Sequence, residues 1–215
     1  MAKKKMIRRL IVLCVVTLLI GAGVYWFVQK NGVRGAVAGI PDPVQEKTTG
    51  GTTKKVGGYD VDITYKYTYE IEALVVHTES YSGSSLPDKL SPLDAALAWG
   101  KVAEYNKKID FNWSQSRRWY FWEVDDASVL APVGGVTYVN RHSANTHLLP
   151  SSSSVKDKVE KIRRGDHIRL KGYLVDVDAR KSNGETYWWH SSVSREDTGD
   201  GACEVMYVTS VEWLD

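Results

Sequence analysis

Cys203 is the one cysteine outside the N-terminal apolar run of this 215-residue chain, and His190 stands thirteen positions before it. A thiolate beside an imidazole is a nucleophile suited to acyl transfer. Here, however, Asp197, Asp200 and Glu204 crowd the cysteine, and like charge nearby favours the protonated thiol. A free cysteine at a strand edge also commonly serves as a small buried side chain. Cys203 and His190 are therefore candidates for catalysis, set against a plain packing role.

The order of a histidine followed by a cysteine is similar in outline to L,D-transpeptidases, exported cell-wall enzymes with a His upstream of a catalytic Cys. That family carries a Ser/Thr-His-Gly run directly before its cysteine, where this chain has Asp200-Gly201-Ala202. The resemblance implies, as an alternative function, an exported hydrolase or acyltransferase using Cys203 and His190.

Three further groups could bind. Asp197, Asp200 and Glu204, within Glu196–Glu204 and its two glycines, could offer oxygen ligands to calcium. Their spacing is not that of an EF-hand loop, and a polar turn between strands is the plainer reading. Asn140-Arg141-His142-Ser143-Ala144-Asn145-Thr146-His147 is the densest polar cluster between apolar segments. Its two imidazoles, five apart, could share a metal ion if the segment curls, although no HExxH or comparable spacing is present. The expectation is a loop bonding its own backbone, with Asn140, His142, Asn145 and His147 as candidate binding residues. No cofactor is implied. Finally, Trp119-Tyr120-Phe121-Trp122 follows Arg117 and Arg118. Adjacent residues on a strand face opposite ways, so one set should be core and the other either exposed or, on the plainer reading, covered by loops or a helix. Exposed Trp119 and Trp122 beside Arg117 and Arg118 would suit a glycan, a peptide or a protein partner.

Other segments must position these groups. Leu10–Val28 is apolar for nineteen residues and follows Lys3, Lys4, Lys5, Arg8 and Arg9. A helix of that length spans a hydrocarbon core of about 30 Å. Cations on its N-terminal side alone place that end in the cytoplasm and the remainder outside. A cleaved signal with Ala36-Val37-Ala38 as its site competes, but the run exceeds the usual h-region of about 7–15 residues. The reading is an uncleaved single-pass anchor, residues 1–9 being its basic cytoplasmic flank and 10–28 the span. Residues 29–57, rich in glycine and threonine, read as a flexible tether, and 58–215 as the extracytoplasmic domain.

The formal charge of +2 misrepresents that domain. Residues 1–30 hold six cations and no acids, which leaves 22 basic against 26 acidic residues beyond them. Such a balance lacks the electrostatic footprint of a nucleic-acid binder. With one cysteine, the domain closes no internal disulfide and relies on packing.

From Tyr59 to Ile71 apolar and polar residues alternate, the mark of a half-buried strand. It continues through Leu74-Val75-Val76. Ser91-Pro92-Leu93-Asp94 has the form of a helix start, with Ser as N-cap and Pro at the first helical position, which predicts a helix to about Tyr105. Trp113–Glu123 and Val133–Val139 read as strands, and Val155–Arg163 as a short helix. His167–Val177 and Thr186–Ser192 flank the Asn183-Gly184 hairpin signal, and Val205–Leu214 supplies a last strand. The fold class is α+β, a curved antiparallel sheet or barrel with two helices.

Within residues 155–192, Gly165-Asp166 precedes the strand His167–Val175, and Gly172 interrupts it. This stretch resembles OB-fold-like small barrels, with their Gly-Asp turn and a Gly where the strand bends. The resemblance implies a ligand face on one side of the barrel. The function expected is a membrane-anchored extracytoplasmic binding or structural domain of a bacterial envelope, contacting a protein, glycan or other envelope ligand, rather than an enzyme.

Overall fold

In a computed structural model of the chain, residues 13–24, 35–197 and 201–214 are described. It is a mixed α+β fold dominated by one eight-stranded sheet. Its spine is β3 (Tyr59–Ser80), 22 residues long, whose alternation continues the pattern seen in the sequence. β1 (Val44–Lys47) and β2 (Gly51–Val56) lie along its first part. Beyond them β3 pairs with β4 (Leu93–Ala98), β4 with β7 (Ser143–Pro150), and β7 with β10 (Glu204–Trp213). β10 pairs with β8 (His167–Lys181), and β8 returns to β3, closing a circuit of five strands. Every pairing in this circuit is antiparallel except β7–β10. β9 (Thr186–His190) continues from β8 through the Asn183-Gly184 turn, and β5 (Ser114–Ser116) and β6 (Trp119–Phe121) form a separate hairpin.

Closure lets both faces of several strands be covered. Ile71, Ala73, Leu97, Leu148, Ile168, Leu170 and Met206 belong to the main buried cluster. A second cluster unites Val61 and Ile63 of β3 with Val175 and Val177 of β8, beneath Leu86 and Leu90 of α1 (Leu86–Leu90). Gly172 sits where β8 passes closest to β10, and a Cβ there would run into the Tyr207 carbonyl. Only glycine permits that approach, which lies beside the register shift between Val208 and Ser210. α4 (Ser153–Val159) is capped by Ser152, whose hydroxyl accepts from Val155 N, and it buries Val155 and Val159.

Several expectations are corrected. The stretch 29–57 is not a free tether along its described length, because β1 and β2 fall within it. Ile40 is buried, and the Gly35 carbonyl accepts from Asn106 Nδ2. The helix expected from Ser91 is strand β4 followed by the short α2 (Gly100–Tyr105). Ser91 is not an N-cap: it closes the C-terminus of α1, its N–H donating to the Pro87 carbonyl, and its hydroxyl bonds the Leu93 carbonyl and Asp94 Oδ1. Trp113–Glu123 is a hairpin folded at Arg117-Arg118 rather than one strand. Val133–Val139 belongs to a 3-10 helix (Ala127–Val133) and α3 (Val136–Arg141). The expected loop at Asn140–His147 is largely strand β7, fully buried from Ser143 to Leu149.

Of the expected span Leu10–Val28, residues 13–24 are described and helical, with side chains exposed; its remainder lies outside the described residues. Among the described residues, no helix is long and apolar enough to cross a membrane.

Candidate functional site

The register of β4 and β7 sets Asp94 opposite His147, Ala96 opposite Asn145 and Ala98 opposite Ser143. Strand alternation gives all six side chains one face. The β5–β6 hairpin lies over that face and bonds it position by position. Arg118 Nη1 donates to Asp94 Oδ1 at 2.7 Å, Gln115 Nε2 to Asn145 Oδ1 at 2.6 Å, and Tyr120 OH lies 3.3 Å from Ser143 Oγ. Asn145 Nδ2 answers by donating to the Arg118 carbonyl at 2.8 Å.

Arg118 is the centre of this attachment. Its guanidinium also donates to Asp88 Oδ1 and the Ser91 carbonyl, and lies over the Tyr81 ring at 3.4 Å. Asp94 has no exposed surface. A buried carboxylate is tolerable only when paired and hydrogen-bonded, and Arg118 and Ser91 meet that requirement at Oδ1. On the other side, His147 Nδ1 lies 3.0 Å from Asp94 Oδ2, off the line of an aligned hydrogen bond. Arg118 was expected to reach outward for a ligand; it is turned inward as an anchor. Arg117 is exposed, and both residues have positive φ, 52° and 74°.

His190 and Cys203 do not meet. His190 Nε2 pairs with Asp178 Oδ1 at 3.2 Å on the exposed face of β9, next to Trp188. Cys203 instead takes a hydrogen bond from Asn145 Nδ2 at 3.5 Å. Burial pushes its thiol up to about 11, with Glu204, Asp94 and Asp197 acting in the same direction. A protonated thiol without an imidazole is a poor nucleophile.

The two loop histidines also diverge. His142 stacks on Tyr138 at 3.6 Å and approaches Asp42, whereas His147 packs on Trp189 from within β7. In the expected calcium loop, Asp197 accepts from Ser192 Oγ, and Glu204 is a buried residue of β10. Asp200 lies outside the described residues. Among the described residues, no three His, Cys, Asp or Glu side chains converge as a metal group.

What does form is a cleft of about 330 Å³ between the hairpin, the start of β7 and the segment joining β9 to β10. Trp119, Phe121 and Trp122 line one side, and Trp99 and the Cys203-Glu204 pair lie deeper. Phe121 is half exposed. Trp122 Nε1 donates to Asn140 Oδ1 at 3.1 Å, which holds two of the expected binding residues in the wall. Arg195 lies over Trp99 at 5.1 Å and Tyr69 at 5.8 Å, and Nη2 donates to Tyr69 OH. Its Nη1 is buried and makes no hydrogen bond. Burial raises the Glu204 carboxyl to about 8, tempered by the Arg195 charge and by Thr146.

Trp119, Trp122 and Asn140 of the expected set thus line the cleft, whereas Asn145 and His147 lie under the hairpin. Trp99 and Arg195 were missed. Neither sits in a motif: Trp99 arrives through the pairing of β4 with β7, and Arg195 through the segment that leads into β10 beside β7. Comparison with protein-family models, curated proteins and solved structures finds no match.

Proposed function

We propose that this chain is a membrane-anchored, extracytoplasmic binding domain that receives an envelope ligand in the cleft between the β5–β6 hairpin and β10. The observation that carries the reading is the cleft itself: half-exposed aromatic rings over a floor holding a buried arginine atom without a partner. Aromatic walls with a few convergent polar groups are the usual form of a small-ligand site. The same floor argues against covalent catalysis, since its thiol stays protonated and its neighbour is an amide.

The five-stranded circuit supports an OB-like barrel. OB-folds bind on the face of their second and third strands and the loops beside it. The corresponding strands here are β4 and β7, whose face is occupied by the chain's own hairpin. The cleft opens at the edge of that covering.

Topology rests on the apolar run at Leu10–Val28 and its one-sided basic flank. Leu13, Leu18, Leu19 and Ile20 present their side chains outward from the helical residues 13–24, as lipid contact requires.

A photo-crosslinking residue at Phe121 in the full chain, produced in cells, tests the reading. It should capture an envelope component, with the domain digested by protease added outside the membrane. The same probe at Lys171, an exposed residue of β8, should capture none. Equal capture at both positions, or protection from external protease, overturns it.

A further inference from the structure

We infer that the ligand of this cleft is an acid: a carboxylate carried on a ring-sized body, gripped by Arg195 while its ring lies against Trp119, Phe121 and Trp122. This rests on the cleft being a binding site and adds the chemistry of what it binds.

The first support is an unmet donor. Arg195 is fixed by the Trp99 and Tyr69 rings and spends Nη2 on Tyr69 OH, yet Nη1 is buried with no acceptor. Leaving a buried charged donor unsatisfied is costly. A carboxylate oxygen is the acceptor that best matches a guanidinium edge.

The second support is the charge of the lining. Arg141 and Arg195 face Asp197 and Glu204 around the cleft. Arg141 is partnered by Glu196 at the rim, and Asp197 by the Ser192 hydroxyl. Glu204 is buried, and its side chain accepts from Thr146 Oγ1 at 3.5 Å. Its neighbours from the packed elements are Tyr69 on β3, Tyr120 on β6, Thr146 on β7, Cys203 directly before β10, and Arg195 and Asp197. Burial keeps this carboxyl protonated below pH 8. A protonated Glu204 is an O–H donor on the same lining as the guanidinium, a pairing suited to an anion.

Two envelope sources share this chemistry, a sugar acid and an acidic aromatic peptide end. Paired probes separate them: N-acetylmuramic acid against N-acetylglucosamine, and indole-3-acetate against indole-3-acetamide. Each is titrated into the full chain in detergent at pH 6.5 by calorimetry. One acid should bind about tenfold or more tighter than its neutral counterpart, the scale of one charge-assisted hydrogen bond. Arg195→Gln should erase that difference. Glu204→Gln keeps the side chain a donor, so its preference should persist at pH 9, where the wild-type preference has shrunk. Should Arg195→Gln fail to fold, the Glu204→Gln comparison decides alone. A neutral probe binding as tightly as its acid overturns the inference and leaves the cleft as a binding site. Binding by neither member of either pair overturns both.

Discussion

The guanidinium of Arg118 lies 2.7 Å from the carboxylate of Asp94, a residue with no exposed surface. This contact fastens the β5–β6 hairpin to the large sheet and gives the buried acid its counter-charge. Breaking one side strands the other. Arg118→Ala and Asp94→Ala should each destabilise the domain by about 3–5 kcal/mol in urea unfolding. The double variant carrying Arg118→Ala and Asp94→Ala should cost less than the sum of the two single changes, since neither partner of the pair is left buried alone. Strict additivity would refute the coupling.

The hairpin tip holds a residue badly suited to it. Arg117 has φ 52° in a two-residue turn, where Asn is the favoured occupant, and its side chain is exposed. Left-handed backbone costs an ordinary residue about 1–2 kcal/mol. Arg117→Asn should therefore raise stability by about 0.5–1 kcal/mol, read as an increase in the urea midpoint with unchanged slope.

Glu204 makes stability depend on pH. Its carboxyl titrates near 8 in the fold against an ordinary value of 4.5. A folded pKa above the unfolded one contributes stability that is complete below the unfolded value and is lost as pH rises through the folded one. Thermal stability should therefore decline from about pH 5 to pH 8, and Glu204→Gln should flatten that slope. An unchanged slope in the variant would place the titration elsewhere.

The Cys203 thiol, pushed up to about 11 by burial, should alkylate slowly. In a Cys14→Ser background at pH 8, iodoacetamide should react on the order of 100-fold slower with the folded protein than with the urea-unfolded one, as the thiolate fraction dictates. Fast labelling of the folded protein would show a reactive thiol after all.

Strands β3, β8 and β9 were legible in the sequence because one face meets apolar core and the other meets water, which writes period two into the residues. The Asn183-Gly184 turn was legible for its own local reason. Strand β7 was not, because its second face meets the Gln115, Arg118 and Tyr120 side chains rather than solvent or hydrocarbon. Ser143, Asn145 and His147 therefore read as loop chemistry. Strand β4 was concealed by a cap signal whose Ser91 and Asp94 turn out to bond one another. The cleft was half legible: Trp119 and Trp122 share one aromatic run and Asn140 opens a polar cluster, but Trp99 and Arg195 stand in no such pattern and reach them only through strand pairing.

The parallel pairing of β7 with β10 carries a consequence for biogenesis. β10 is inserted between β7 and β8, two strands that precede it in the chain, so the ring stays open until residues 204–213 arrive. Such non-local closure is slow compared with local structure. A chain threaded outward behind an N-terminal anchor would thus cross as an unclosed ribbon. The circuit would shut only once its final strand had been released on the far side.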